Sequence, residues 1–316
     1  MVRGGEILPA GRPSARGLTR PAFGNHGPGD LVTFQPPHVA GVELEGVSET
    51  TLWTLYQRAS EAARPDRVLH DPMAVDLVAA IDFPFEERFG ASAGWAQWQA
   101  LRARTFDREV RRFLHDHPDG TVVALGEGLE TQFWRVNNGH VRWIGVDLPP
   151  VIELRQRLLP SSPRHELVAS SVVDGAWLDE LDRTDGVLVT AQGLLMYLEP
   201  RQVHDLVAEC AGRIAEGALL FDAVPRWLSE RTQREPLGKP GGYRPPPWTW
   251  GIDADEFRRI ETTPHVAELR RLRLPRGRGP WFGYAVPLLG QVPGLSDRFF
   301  SIMLSRLSAL PSQPNR

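Results

Sequence analysis

Gly126, Gly128 and Asp147 are the residues whose spacing most directly suggests chemistry: a GxG turn followed 19 positions later by an acid can seat a nucleoside. The turn ends Thr121-Val-Val-Ala-Leu125, an apolar run suited to a buried parallel strand, and glycine there lets a ligand approach the backbone. Asp147 closes a second apolar run from Val141, where a carboxylate can accept from a pair of ribose hydroxyls. A dinucleotide fingerprint wants a third glycine where Thr131 stands, with pyrophosphate over the helix N-terminus. Glu127 and Glu130 add negative charge there, which repels phosphate and suits a cationic sulfonium nucleoside. These residues favour S-adenosylmethionine over NAD.

Arg102 is the second group to explain. Trp95, Trp98, Arg102, Phe106 and Phe113 recur at helical intervals, so Arg102 falls on the apolar stripe of a helix from Trp95 to His115, while Arg104, Arg108 and Arg111 fall on its wet face. A buried guanidinium needs an anion. Either it pairs with a carboxylate such as Asp107 or Asp71, or it clamps a ligand carboxylate with two parallel hydrogen bonds.

The elements that must position these groups follow from pattern. Helices are expected over Glu49–Ala63, from Asp71-Pro72 through Ala80, over Val151–Leu159 and over Arg201–Ile214. Strands are expected at Thr121–Leu125, Val141–Asp147, Glu166–Ala169, Gly186–Thr190, Ala218–Asp222, Leu269–Leu274 and Phe299–Leu304. Strand and helix alternate from 121 to 223, which predicts a parallel α/β sheet with helices on both faces. Gly238–Trp250, rich in proline and tryptophan, reads as an insertion or cap that either lines a substrate pocket or closes the core edge.

The chain has 316 residues, 41% apolar and 24% charged, enough for one large domain with insertions. A net charge of -3 argues against a dedicated nucleic-acid binder. Cys210 is the only cysteine, which excludes an intramolecular disulfide and a cysteine metal cluster and fits a reducing cytoplasm. No apolar run is long enough to span a membrane, and the first residues lack a signal-peptide core. The expected layout is a flexible leader over 1–40, one domain over 41–308 and a polar tail over 309–316. The domain comprises N-terminal helices (48–117) and a core (121–308) with an insertion at about 236–252.

Phe106-Asp107, Val123–Arg135, Val146-Asp-Leu-Pro149 and Gly193–Pro200 together resemble the leucine carboxyl methyltransferase family, and within it the bacterial polyketide O-methyltransferases of the tetracenomycin type. The resemblance spans roughly residues 48 to 260. It implies a Rossmann-like seven-stranded sheet whose last strand is antiparallel, with added N-terminal helices and a cap insertion. By matching positions it implies that Arg102 binds the methionine carboxylate of S-adenosylmethionine and that Gly126, Glu127 and Gly128 line the methionine and ribose. Asp147 and Leu148 would then meet the ribose, and Ser171 and Val172 the adenine edge. Gln192 stands where many relatives carry a glutamate, and Ser171 where many carry an acid. A serine and a glutamine amide can still hydrogen-bond the ligand. Arg58 matches a basic position of the family, as either a carboxylate partner or an ordinary surface arginine. Asp222 lies on the ligand-bearing edge, as either a site acid or a turn cap.

Methyl transfer is an in-line displacement that needs alignment and exclusion of water but no enzyme nucleophile. A carboxylate acceptor is already ionised, whereas a phenol would gain from a base or nearby cation. No catalytic triad, metal motif or dedicated base is evident, so no catalytic residue and no metal ligand is assigned; Tyr197 and the histidines remain open as helpers. The expected function is O-methylation of a small polyketide-like or aromatic acceptor. A non-catalytic ligand-binding relative, a nicotinamide-dependent oxidoreductase and a protein C-terminal carboxyl methyltransferase are the alternatives.

Overall fold

The computed structural model describes residues 34–181, 186–235, 237–238, 243–290, 292 and 294–308. Most of the expected leader, the tail over 309–316 and part of the expected insertion therefore lie outside the described residues. Four helices come first: α1 (Thr50–Ala62), α2 (Pro72–Ala80), α3 (Phe85–Phe89) and α4 (Ala93–Asp116). Asp71 caps α2 by accepting from the Ala74 N–H, and Pro72 occupies its first turn.

The α/β portion then runs β1 (Thr121–Leu125), α5 (Gln132–Val136), β2 (Arg142–Asp147), α6 (Pro149–Leu158), β3 (His165–Ala169), β4 (Val187–Ala191), α7 (Pro200–Arg213) and β5 (Gly217–Ala223). It continues through α8 (Arg226–Arg234), α9 (Ala254–Glu261), β6 (Val266–Leu272), α10 (Val286–Leu289) and β7 (Ser301–Leu307). The seven strands lie in the order β3-β2-β1-β4-β5-β7-β6, with β7 antiparallel to both neighbours. This is the Rossmann-like sheet that the resemblance implies. Its strand order reverses beside β1, the place where open α/β sheets leave a crevice at the carboxyl ends of their strands.

Side-chain alternation along β1 sends Val122 and Ala124 to one face and Val123 and Leu125 to the other. The first face packs on Trp98, Phe106, Val110 and Leu114 of α4, and the second on Val203, Leu206, Val207 and Cys210 of α7. Arg102 is buried and Arg104 exposed, as the periodicity predicts. The last two strands are displaced from their expected limits. Pairing of Ala223 with Ser301 and of Gly217 with Leu307 sets β7 along the full length of β5, which starts it after Phe299-Phe300. A register irregularity between Val266 and Glu268 accompanies the earlier start of β6.

A buried charge cluster joins the N-terminal helices to the sheet. Arg135 of α5 donates to both oxygens of Asp107 on α4 at 2.8 and 3.0 Å, to Asp71 at 2.9 Å and to Glu130 at 2.7 Å. Arg58 of α1 donates to Asp71 at 2.9 Å and to the Leu129 carbonyl at 2.8 Å, and stands 3.2 Å from Glu130. Arg58 is thus a buried structural cation, and Asp71 and Asp107, the two partners anticipated for Arg102, are held by Arg58 and Arg135 instead. Removing one member of such a cluster leaves uncompensated charge in a medium that solvates it poorly. Arg135→Met is expected to lower the unfolding free energy by about 3–5 kcal/mol in a denaturant titration. Arg201→Ala, whose pair with Asp205 is exposed, is expected to change it by less than about 0.5 kcal/mol; similar small effects from both would contradict the role given to the cluster.

Candidate cofactor site

A cleft at the carboxyl ends of β1 and β4 is lined by Thr50, Thr51 and Thr54 of α1, by Arg102, by the Gly126–Glu130 turn, and by Thr190, Gln192 and Gly193. Gly126 and Gly128 have φ of +62° and +55°, a left-handed conformation that other residues adopt only with strain. Asp147 fixes the turn: one carboxylate oxygen accepts from the Gly128 N–H at 2.7 Å and the other from the Leu148 N–H at 2.7 Å. Burial pushes the Asp147 carboxyl above its ordinary range even though these two N–H groups and Arg155 oppose it.

Arg102 donates to Asp222 at 2.9 Å, and the other oxygen of Asp222 accepts from the Gly193 N–H at 2.5 Å. Asp222 therefore orients the guanidinium from the end of β5. A Cβ on Gly193, whose φ is +72°, would stand 2.8 Å from an Arg102 Nη, so glycine there makes room for the arginine. The Arg102 Nε is buried without a partner among the described residues. Gln192 donates its amide N–H to Glu130 at 2.9 Å, which leaves its Oε1 buried and likewise unpartnered.

The two glutamates of the turn correct the charge argument drawn from sequence. Glu127 borders the cleft, but its carboxylate points to Arg155 at 2.8 Å, His165 at 3.0 Å and the Trp143 indole at 3.0 Å. The absence of a side chain at Gly145 leaves room for it, since a Cβ there would overlap the carboxylate. Glu130 is held by Arg58 and Arg135; burial alone would raise its pKa, but the two cations bring it down to about 2. Neither glutamate stands as a free charge facing a ligand. The balance of buried groups is still acidic: four arginines (58, 102, 135 and 155) meet six carboxylates (71, 107, 127, 130, 147 and 222). The hydroxyl of Thr131, which stands where a dinucleotide fingerprint has its third glycine, is tied to Asp71 at 2.7 Å.

Of the nine residues expected to bind cofactor, the cleft gathers Arg102, Gly126, Glu127, Gly128 and Gln192. Asp147 touches it through Gly128. Leu148, Ser171 and Val172 lie further along the same sheet edge, joined to Asp147 by the hydrogen bond from Ser170 N–H to its carbonyl at 3.0 Å. Ser171 caps the short turn that follows, and the Val172 carbonyl accepts from the Trp177 indole at 3.0 Å. Sequence reasoning missed the α1 threonines and Arg155, which donates to the carbonyls of Gly128 and Glu130 at 2.7 and 2.8 Å. Thr50 and Thr54 one turn apart on an otherwise core-facing helix were the available signal. The donor set fits S-adenosylmethionine: an unpartnered amide oxygen suits an ammonium, an oriented guanidinium suits a carboxylate, and Asp147 suits a diol.

The family model for leucine carboxyl methyltransferase matches residues 51–211. The tetracenomycin polyketide synthesis O-methyltransferase TcmP of Streptomyces glaucescens is 35% identical over 212 residues, covering 67% of this chain and 77% of its own. The S-adenosyl-L-methionine-dependent methyltransferase dpfgK of Gibberella zeae is 30% identical over 251 residues, covering 72% and 82% respectively. Among solved structures, magnesium protoporphyrin IX methyltransferase from Synechocystis PCC 6803 with bound S-adenosylhomocysteine has a TM-score of 0.44 at 12% identity, covering 69% of this chain and 89% of that one. The chain belongs to the leucine carboxyl methyltransferase family, and it is a methyltransferase whose cofactor is S-adenosylmethionine.

Proposed function

We propose that the chain transfers the methyl group to an oxygen, a carboxylate or a hydroxyl, of a small polyketide-like or aromatic acceptor. The observation that carries this reading is the 35% identity to an enzyme named as a polyketide O-methyltransferase. The cleft supports it, since no histidine is among its described lining residues and an ionised carboxylate requires no base.

In this reading Arg102, held by Asp222, grips the methionine carboxylate and the Gln192 Oε1 accepts from the ammonium. Asp147 accepts from the ribose hydroxyls, and Leu148, Ser171 and Val172 flank the adenine. The bound sulfonium supplies an electrophilic methyl carbon. The chain contributes alignment: the Gly126–Gly128 backbone and the α1 threonines fix the donor end and keep water from it.

Three outcomes test these assignments. Incubation with methyl-labelled S-adenosylmethionine and a panel of aromatic polyketide acids and phenols is expected to yield labelled esters or ethers; methylation at nitrogen or carbon alone would overturn oxygen transfer. Asp147→Ala is expected to weaken S-adenosylhomocysteine binding by about 1–3 kcal/mol in a still-folded protein, and Arg102→Lys, which keeps a cation for Asp222, to weaken it less. Because the Asp147 pKa is raised and the ligand hydroxyls favour the ionised form, affinity is expected to fall as pH drops below neutrality toward that raised value, with Asp147→Asn flattening the profile. Identical pH profiles in the two proteins would refute the ribose role.

A further inference from the structure

Residues 243–250 have no helix or strand, yet they are pinned to the turn that follows β4. Thr249 donates its N–H to the Met196 carbonyl at 2.8 Å and its hydroxyl to the Leu198 carbonyl at 2.7 Å, and the Trp248 N–H meets the Thr232 hydroxyl at 2.8 Å. This anchoring fixes Trp248 beside Tyr197, while Tyr243, also near Tyr197, packs against Trp53 and Phe89. The backbone is well satisfied, but two side-chain donors are not: Tyr243 Oη and Trp248 Nε1 are buried without a hydrogen-bond partner among the described residues. The Trp248 indole lies near the Tyr197 hydroxyl without completing a hydrogen bond to it. Two unmade donors in one neighbourhood are unusual in a packed interior and suit an outside acceptor.

The surroundings are flat and aromatic. The Trp53 ring lies 5.6 Å from that of Trp95 and 6.2 Å from that of Tyr243, and Phe300 lies 5.8 Å from Trp95 and 6.1 Å from Trp248. Trp53, Trp95, Tyr197 and Phe300 are only half-buried, so the cluster is open on one side. It also adjoins the cofactor cleft, because Tyr197 is flanked by Thr50, Arg102 and Asp222. Burial pushes the Tyr243 phenol well above its ordinary pKa, and an indole N–H can only donate. Both groups therefore act as donors.

We propose that Tyr243 and Trp248, with Tyr197, form the acceptor-recognition site. It would take a flat aromatic molecule bearing a hydrogen-bond-accepting oxygen, its ring packed among Trp53, Trp95 and Phe300. This inference rests on the methyl-transfer reading and names the substrate class for it. The oxygen bound by Tyr243 and Trp248 fixes the orientation of the ring system and so decides which group faces the methyl donor.

The test is calorimetric titration with anthraquinone-2-carboxylate, with and without saturating S-adenosylhomocysteine, and with cyclohexanecarboxylate as the non-aromatic control. Micromolar binding of the aromatic probe alone is expected, about tenfold weaker in each of Tyr243→Phe and Trp248→Phe from loss of one hydrogen bond. Affinity for S-adenosylhomocysteine is expected to stay within about twofold of wild type, since neither side chain lies in the nucleoside cleft. Absent probe binding, or binding unchanged in both variants, overturns the acceptor site and leaves the cofactor assignment standing. Loss of nucleoside affinity in Tyr243→Phe equal to the loss of probe affinity also overturns it, by placing the residue in the fold or the donor site. Failure of the wild-type protein to bind S-adenosylhomocysteine, with probe binding retained, would instead remove the methyl-transfer reading.

Discussion

Arg135 ties together carboxylates from three separate segments, and the geometry of the cofactor cleft hangs on that cluster. Asp71 comes from the start of α2, Asp107 from α4 and Glu130 from the turn after β1. A guanidinium cannot shed its proton, so the buried Arg135 and Arg58 need these carboxylates close by to balance them. Glu130 is held between the two arginines, and the amide of Gln192 donates to it. The unpartnered Gln192 oxygen is aimed by this chain of contacts rather than by its own rotamer preferences.

The same network explains how an acidic cleft can be built without stray charge. Each carboxylate of the turn is individually matched, yet the group as a whole keeps more carboxylates than arginines. S-adenosylmethionine carries a sulfonium and an ammonium against one carboxylate, so its net positive charge reduces that imbalance, whereas a pyrophosphate would worsen it. The discrimination sits in the collective field and in Thr131, not in direct repulsion by Glu127. Two arginines contribute in different ways: Arg155 closes the turn from beneath through the carbonyls of Gly128 and Glu130, and Arg102 faces the ligand space with Asp222 behind it.

The sheet through β5 and helices α1, α2, α4 and α7 were legible because each buries a face at a regular period, and the glycine turn and Asp147 because they are contiguous with those elements. The last two strands were less legible, since their limits come from register with β5 rather than from their own composition. Charge pairing was not legible at all. Arg102 finds Asp222 across 120 positions and Arg135 finds Asp71 across 64, and nothing local distinguishes these acids from nearer ones. The orientation of Glu127 was hidden for the same reason: its partners Arg155, His165 and Trp143 come from α6, β3 and β2, and only a glycine at position 145 hints that a side chain must pass there.

If this buried arrangement forms a site for a phosphate-free nucleoside, calorimetric titration of the purified protein with S-adenosylhomocysteine and, separately, with NADH at near-physiological salt will distinguish the two ligands. Micromolar binding of S-adenosylhomocysteine and no response to NADH are expected. Binding of NADH, or of neither ligand by the folded protein, would rule out a phosphate-free nucleoside site in this cleft.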